Sequence, residues 1–327
     1  MAEFRTYTAI GQREDLSNTI YNIAPTETPV VSSIGKTTAK GTLHEWQTDD
    51  LSAASAAGLV EGADASGASD TPTVRLGNRT QIQGKTVHIS GTLDAVDKAG
   101  RKSETAYQLA KAGQELKRDM EKTILGNVAQ SAGVAGSGAR LLGSIQTWLL
   151  TNYVTEATAG SPAGPVGGNG TATRTSAGSG NYLAFGEDKL KACVKSVFEN
   201  GGNPTMLVVP PTQKQAVSAF TGIAAQRYQA PANKQTTIVG AADVYMSDFG
   251  TLSVVPDRFM TRDTGTGTGE QALVIDPTML NIATLRPFQS NLLAKAGDSE
   301  KHQMLSEYTL QVNNEKAHGI VADLLVS

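Results

Sequence analysis

The sequence contains a single cysteine, Cys193, among its 327 residues. One thiol cannot form a disulfide within the chain, and it cannot supply the thiolates of a cysteine-rich metal site. We expect Cys193 to be a small buried side chain, because free cysteine behaves as a hydrophobe in protein cores. A chain without disulfides is typical of proteins that fold in a reducing cytoplasm.

Aromatic residues, net charge and long apolar runs are also scarce. Phenylalanine, tryptophan and tyrosine make up 5% of the chain, and the formal net charge is −3. This mild acidity provides no bulk attraction for nucleic acid or for an anionic membrane surface. No segment approaches the ~20 apolar residues of a membrane helix, and residues 1–10 are too polar for a signal peptide. We therefore predict no membrane partner.

Two Gly-Lys-Thr triplets, at 35–37 and 84–86, resemble the end of a nucleotide-binding P-loop. The full motif needs an earlier glycine, but Val30 and Arg79 occupy the two corresponding positions. A helix must also follow the loop, so that its N-terminus faces the phosphates. Polar and apolar residues alternate after the second triplet, which indicates a strand. We therefore expect neither triplet to bind a nucleotide.

Metal and catalytic motifs are incomplete as well. His44 begins an H-E-x-x-H pattern, but Thr48 stands where the second zinc ligand is required. The remaining histidines, His88, His302 and His318, are isolated in the sequence, and we predict them at the surface or in turns. We assign no catalytic residue, no metal site and no cofactor, and we expect a protein that is not an enzyme.

The strongest periodic pattern predicts an amphipathic helix over residues 103–126. Ser103 is a favourable N-cap, and Gly126 is typical of a helix end. Apolar residues recur every three or four positions, as Leu109, Ala112, Leu116, Met120 and Ile124. Charges four residues apart predict two ion pairs, Lys111–Glu115 and Lys117–Glu121. The charged face is either solvated or offered to neighbouring subunits.

The chain before this helix lacks large apolar residues. Residues 1–40 include Pro25 and Pro29 and predict an extended arm. Segments 42–51 and 74–93 are predicted to be two long strands of a hairpin with an Ala/Ser/Gly-rich tip. Such a hairpin is not stable alone in water, so it must lie on another surface, possibly that of another chain.

After the helix, residues 155–182 are rich in Gly, Thr and Ser and predict a surface loop. Helices and short strands then alternate over 186–285, with strands in TMLVVP, TTIVG, DVYMSD, TLSVVP and QALVID. The first helix of this region is expected to bury Leu190, Val194, Val197 and Phe198. Residues 302–325 predict a terminal antiparallel hairpin that covers the long helix.

Five segments carry a resemblance to a known family. They are SIGKTTAKGTLHEWQTDDL, RLGNRTQIQGKTVHISGT, RKSETAYQLAKAGQELKRDMEKTILGN, MLVVPPTQKQAVSAF and EYTLQVNNEKAHG. Together they resemble the podophage-type major capsid proteins of tailed phages, which have the α+β Hong Kong 97-like fold. Bacterial encapsulin shells share that fold.

The resemblance implies a division of the chain into five parts. These are an N-terminal arm (1–40), an E-loop hairpin (41–95), a P-domain with the spine helix 103–126 and the loop 155–182 (96–185), an A-domain (186–285) and P-domain return strands (286–327).

The resemblance also implies a function and its partners. Hexamers and pentamers of the chain would assemble in the host cytoplasm into the icosahedral head of a virion. The head would enclose double-stranded DNA without sequence-specific binding. No long helical leader precedes the arm, so we expect a separate scaffolding protein, together with a portal and possibly a decoration protein.

Ten residues are candidates for contacts between subunits, because tryptophan and arginine are enriched at such anchors and charges set the register. They are Trp46, Asp49, Asp50, Glu61, Arg75, Arg79, Arg101, Lys117, Arg118 and Glu121. For each, an ordinary contact within the chain is the alternative. Three other functions stay open: an encapsulin-like shell, a phosphate-using enzyme with Lys36 or Lys85, and a tail or adhesion protein.

Overall fold

The structure is a computed structural model. It describes residues 26–52, 54, 56, 58, 61–62, 64, 72–96, 103–155, 164–177, 181–182, 184–220, 243–260, 269–295 and 297–326. The α-helices in these residues are α1 (Pro29–Ser33), α2 (Gly91–Ala95), α3 (Glu104–Leu125), α4 (Glu187–Glu199) and α5 (Pro211–Ser218). The strands are β1 (Gly35–Thr38), β2 (Leu43–Thr48), β3 (Val74–Arg79), β4 (Gln81–Ser90), β5 (Tyr153–Thr155), β6 (Met206–Val209), β7 (Val244–Ser247), β8 (Gly250–Pro256), β9 (Glu270–Ile275), β10 (Leu280–Leu292), β11 (Ser299–Val312) and β12 (Gly319–Leu324).

These strands form three sheets, and the fold is α+β as predicted. A four-stranded sheet has the order β1-β10-β11-β4, and a six-stranded sheet has the order β5-β12-β9-β6-β8-β7. The third sheet is the two-stranded hairpin β2-β3. The predicted strand TTIVG and the residues 1–25 of the expected arm lie outside the described residues.

The long helix α3 confirms the prediction from periodicity. The Ser103 side chain accepts a hydrogen bond from the backbone N–H of Ala106, and Gly126 ends the helix. Four positions of the apolar stripe are buried, namely Ala112, Leu116, Met120 and Ile124. The predicted pair Lys117–Glu121 is wrong, because Glu121 has no exposed surface and lies on the covered side of the helix.

The hairpin is shorter than predicted. β2 pairs antiparallel with β3 from Leu43↔Arg79 to Thr48↔Val74. After the buried Thr80, the chain leaves the hairpin, and β4 pairs antiparallel with β11 in the four-stranded sheet. The predicted pairing of 42–51 with all of 74–93 is therefore wrong beyond Thr80, because β11 provides a longer partner strand for β4.

The predicted terminal hairpin is also wrong. β11 lies in the four-stranded sheet, whereas β12 lies between β5 and β9 in the six-stranded sheet. All six residues of β12 are buried. Ile320 and Ala322 belong to one hydrophobic core, and Val321 and Leu324 belong to the other. A strand with apolar residues on both faces is most stable where both faces are buried. β12 therefore lies in the six-stranded sheet, between the two cores.

The predicted surface loop 155–182 is partly buried. Arg174 is 3% exposed, and its Nη1 lies 3.3 Å from Oδ1 of Asp323, which has no exposed surface. Asp323 also accepts a hydrogen bond from the backbone N–H of Ala177 at 2.9 Å. Asn127, just after α3, exchanges two hydrogen bonds with the backbone of Arg174. Segment 164–177 is therefore tied to the protein interior by a polar network.

The predicted division into parts remains a prediction, but two of its boundaries can be placed on the fold. The boundary at 285/286 falls inside the continuous strand β10. The terminal residues 319–324, assigned to the return strands, lie in the sheet that also contains β6–β9. The region 186–285 therefore shares the strand β10 with the segment that follows it, and it shares a sheet with the last strand, β12.

We predict that Arg174→Met lowers the free energy of unfolding by about 3–5 kcal/mol, because it leaves the Asp323 carboxylate buried without its cation. Urea unfolding of the purified subunit would measure this loss. The double variant Arg174→Met/Asp323→Asn, which removes both charges, should recover part of the loss. Equal stability of Arg174→Met and the unmodified chain would contradict the prediction.

Candidate intersubunit surface

Both Gly-Lys-Thr triplets lie in strands, as predicted for the second; the first lies in the segment predicted to be an extended arm. Residues 35–37 belong to β1 and residues 84–86 to β4, so neither triplet forms a loop before a helix. A Cβ on Gly35 would overlap the Asn281 side chain, and a Cβ on Gly84 would overlap that of Leu305. Lys85 Nζ lies 3.0 Å from an Asp119 carboxylate oxygen. These glycines therefore permit close packing of strands, and this geometry differs from that of a P-loop.

The histidines and the cysteine are engaged in packing. His44 Nε2 lies 2.9 Å from Gln311 Oε1. His318 lies in the turn before β12, as predicted, but it is completely buried and accepts a hydrogen bond at Nδ1 from the backbone N–H of Asp276. Burial lowers the pKa of His318 to about 4 and raises that of Cys193 to about 12. Cys193 is buried, which confirms the prediction.

No three His, Cys, Asp or Glu side chains within the described part of the chain are grouped so that they could hold a metal ion. No helix within it has the length and apolar character needed to cross a membrane.

The contacts that hold the hairpin β2-β3 on its own chain include an aromatic pair and a buried amide, besides the His44–Gln311 hydrogen bond. The rings of Trp46 and Trp148 are 5.3 Å apart between centroids, and Trp148 is fully buried. The Asn78 side chain donates to the carbonyl oxygens of Gly143 and Leu310 at 2.9 and 2.8 Å. Its Oδ1 accepts the Gly143 N–H at 2.7 Å. The candidate Trp46 is thus an intrachain anchor for the base of the hairpin.

The charged candidates on the hairpin remain accessible. Arg75 is exposed and forms a two-pronged ion pair with Glu45 across the strands, with Nε 2.9 Å from Oε1. The Arg75 guanidinium holds the pKa of Glu45 below its usual range. Asp50 Oδ2 lies 2.7 Å from Lys316 Nζ. The other candidates of this region are the exposed Asp49 and Glu61 and the half-buried Arg79.

The four candidates near α3 differ in their exposure. Lys117 is exposed, and Arg101 lies outside the described residues. Arg118 is half-buried, with its guanidinium carbon 5.4 Å from the centroid of the Phe259 ring in the same chain. Glu121 is enclosed in its own chain, where it accepts the N–H groups of Val30 and Val31, so the prediction that it contacts another subunit is wrong.

A group of exposed apolar side chains was missed by the sequence reasoning. Phe198, predicted to be buried, is 54% exposed and lies against Phe249 with ring centroids 4.9 Å apart. Met246 and Val244 on β7 are 81% and 55% exposed. In the described part of its sheet, β7 is the edge strand. We call these four side chains the β7 patch, which has two parts: Val244 and Met246 on the face of β7 opposite Tyr245, and the Phe198–Phe249 pair at the end of α4. Exposed apolar residues beside an unpaired strand edge are typical of interaction sites.

The signal for the β7 patch was present but ambiguous. The alternation in DVYMSD places Val244 and Met246 on one face, but it does not say which face is covered. Tyr245 between them is buried, and its hydroxyl donates to Glu187 on α4 at 3.2 Å. The face of the sheet that contains Tyr245 therefore packs against the core, and the face with Val244 and Met246 is exposed.

Comparison with protein families identifies a match along almost the whole chain. A family model described as "SU10 major capsid protein" matches residues 4–325. The major capsid protein of Escherichia phage Phieco32 is 38% identical over 129 residues, which are 39% of this chain. The match spans 37% of the length of that relative.

Solved structures with a similar fold come from phage and shell particles. A Gordonia phage Cozz chain has a TM-score of 0.59 at 12% identity, covering 97% of this chain and 92% of that one. The capsid of a native GTA particle has a TM-score of 0.59 at 13% identity, covering 98% and 97%. The holo-SrpI encapsulin complex of Synechococcus elongatus has a TM-score of 0.57 at 10% identity, covering 100% and 98%. The fold is therefore the Hong Kong 97-like fold expected from the sequence.

We predict that Trp46→Ala lowers the free energy of unfolding by about 1–3 kcal/mol, since it removes a half-buried aromatic contact. Trp46 and Trp148 are the two tryptophans of the chain. The variant should therefore also change the near-ultraviolet circular dichroism that this pair produces. Trp46→Phe, which keeps a ring against Trp148, is the control with a smaller loss. Unchanged stability in Trp46→Ala would show that the hairpin is not held by this contact.

Proposed function

The chain belongs to the SU10 major capsid protein family, and we propose that its copies assemble as hexamers and pentamers into an icosahedral phage head around double-stranded DNA. The observation that carries this proposal is the family match over residues 4–325. The role of the chain is structural, and the chain is located in the virion. Assembly of the shell in the host cytoplasm is part of the proposal.

The surface of the subunit supports assembly through many repeated contacts. A closed shell is built from interfaces of modest size that symmetry repeats. The hairpin leaves Arg75, Asp49 and Glu61 exposed, and the β7 patch adds apolar area at a sheet edge. We propose that both surfaces contact other copies of the chain, with the charged hairpin setting the register and the β7 patch contributing buried apolar area.

The charge of the chain fits a container for DNA. With a formal net charge of −3, the wall would not hold the packaged genome by bulk attraction. We propose non-specific enclosure of the DNA, and as partners a separate scaffolding protein, a portal and a decoration protein.

An encapsulin-like shell is the second candidate function. The TM-score with the SrpI encapsulin is 0.57, close to the 0.59 with the Gordonia phage chain, so the fold does not discriminate. The family match and the phage relative favour the phage head. The content of purified particles discriminates the two, because a phage head holds DNA and an encapsulin-like shell encloses protein cargo.

The first experiment is electron microscopy of the chain expressed with and without its neighbouring genes. We expect closed shells, or free hexamers and pentamers, and packaged DNA when the phage genes are present. Uniform monomers under every condition would contradict assembly as the function. An ATPase assay of the same preparation, with Lys85→Ala beside it, tests the enzyme alternative.

We predict that Phe198→Ser/Met246→Ser lowers the yield of shells at least tenfold, because it replaces two exposed apolar side chains of the β7 patch. Sedimentation would measure the distribution between shells and smaller species. Met246→Leu, which keeps the patch apolar, should assemble normally. Unfolding of the free subunit should be unchanged in Met246→Leu and slightly easier in the double serine variant, which loses the Phe198–Phe249 ring contact. Normal assembly of the double serine variant would remove the β7 patch from the interface.

We predict that Arg75→Glu reduces assembly while the subunit itself remains folded, because an exposed ion pair contributes little to stability. The reciprocal variant Glu45→Arg/Arg75→Glu restores the pair within the hairpin but reverses the charge at each position. If Arg75 contacts another subunit, this double variant stays defective in shell assembly. Full recovery by the double variant would indicate that the pair acts only within its own hairpin.

A further inference from the structure

The short helix α1 is attached to the spine helix by one buried carboxyl group. Glu121 Oε1 accepts the backbone N–H of Val30 at 2.8 Å, and Oε2 accepts that of Val31 at 2.8 Å. Glu121 has no exposed surface, and neither has Val30. Both oxygens accept hydrogen bonds from the first turn of α1. The Glu121 side chain therefore fixes α1 against the spine helix α3.

A second buried carboxyl group faces the first. Asp257, just after β8, is 1% exposed, and its Oδ1 accepts the backbone N–H of Phe259 at 2.5 Å. Its Oδ2 is buried and has no N–H or O–H donor within the described residues. The Asp257 side chain is within hydrogen-bonding reach of the Glu121 carboxyl. Two carboxyl groups in buried contact cannot both be ionised without a large cost, so a single proton between them satisfies the pair.

No cation replaces that proton in the described surroundings. Helix α1 contains no titratable residue. Arg118, one turn before Glu121, lies over the Phe259 ring. Asp119, two residues before Glu121, is half-buried and pairs with Lys85 at 3.0 Å. The charged residues that flank the pair in sequence, Glu27, Lys117, Lys122 and Arg258, are exposed. Burial, followed by the Asp257 contact, raises the pKa of Glu121 to about 8, although the two amides act in the opposite direction.

We propose that a proton shared by Glu121 and Asp257 latches α1 to the spine helix, and that its loss in mildly alkaline solution releases residues 26–34. This inference concerns contacts within one chain and does not depend on assembly. Two charged carboxylates would then repel each other in a closed space, and movement of α1 would admit water to both.

The direction of the pH dependence follows from the raised pKa. In the attached state Glu121 keeps its proton up to about pH 8, whereas a solvated glutamate loses it near 4.5. The full contribution of the proton to attachment is therefore present below about 4.5 and is lost as the pH rises to about 8. For one proton, the equilibrium constant for opening rises by up to about tenfold per pH unit in this range.

Hydrogen exchange of the full-length chain, measured by mass spectrometry in mildly acidic, neutral and mildly alkaline buffers, tests the latch. After correction for the intrinsic exchange rate, the protection of residues 29–34 should fall with rising pH, by up to about tenfold per unit. Protection of the α3 amides provides the internal reference and should stay constant. Protection of 29–34 that does not depend on pH would overturn the proposal.

Three variants connect the effect to the pair. Glu121→Gln keeps one acceptor for α1 and can donate to Asp257, but it does not titrate, so the pH dependence should disappear. Asp257→Asn removes the facing carboxyl group but leaves Glu121 buried and titratable, so it should weaken the pH dependence without abolishing it. It provides a second variant if the first folds poorly. Glu115→Gln, on the same helix with a 36% exposed side chain, is the matched control and should keep the pH dependence. The same pH dependence of protection in all three variants would overturn the proposal.

A bound cation, in place of a shared proton, is the other way to neutralise the facing carboxyl groups of Glu121 and Asp257. The exchange experiment is therefore repeated with a chelator and with calcium. A shared proton predicts no effect of either. Calcium that restores protection in alkaline buffer would assign the pair to a cation and overturn the shared proton.

Discussion

Burial of three strands of the six-stranded sheet, β6, β9 and β12, on both faces is the constraint on which the rest of the structure depends. Alternate residues of β6, β9 and β12 belong to two different hydrophobic cores. One core contains Met120, Ile124 and Leu125 of α3 and residues of the four-stranded sheet, and the other contains residues of α4 and Val217 of α5. Because β12, the last strand, contributes residues to both cores, both require the far end of the described chain. The polar network of Arg174 and Asp323 is placed at that same strand.

The surfaces that remain free follow from this arrangement. The hairpin is anchored at its base, where Asn78 and Trp46 contact the interior, and its charged residues point away from the core. β7 is covered on one face only, since α4 packs against Tyr245 and leaves Met246 exposed. A structural subunit needs such surfaces, because its stability comes from its own cores and its function from contacts with other copies.

Much of the fold could be predicted from local pattern. The three-to-four-residue period and the Ser103 cap correctly indicated α3, and short apolar runs indicated β6, β8 and β9. Alternation after Thr86 correctly excluded a P-loop. The candidate intersubunit surface was harder to predict from the sequence. Charge and residue type alone could not separate Arg75, which is exposed, from Glu121, which is enclosed by α1 and Asp257.

The sequence by itself therefore determined the secondary structure of the strongest elements, the α+β class and the family resemblance. These depend on periodicity and on residue types at near neighbours. Only the tertiary structure decided which strands pair, since β4 and β12 both have partners far away in the sequence. It also decided which polar groups are buried, because Arg174, Asp323 and Glu121 find partners that no local pattern contains. The physical reason is that burial depends on contacts between distant segments, whereas periodicity reports only how one segment is divided between a polar and an apolar face.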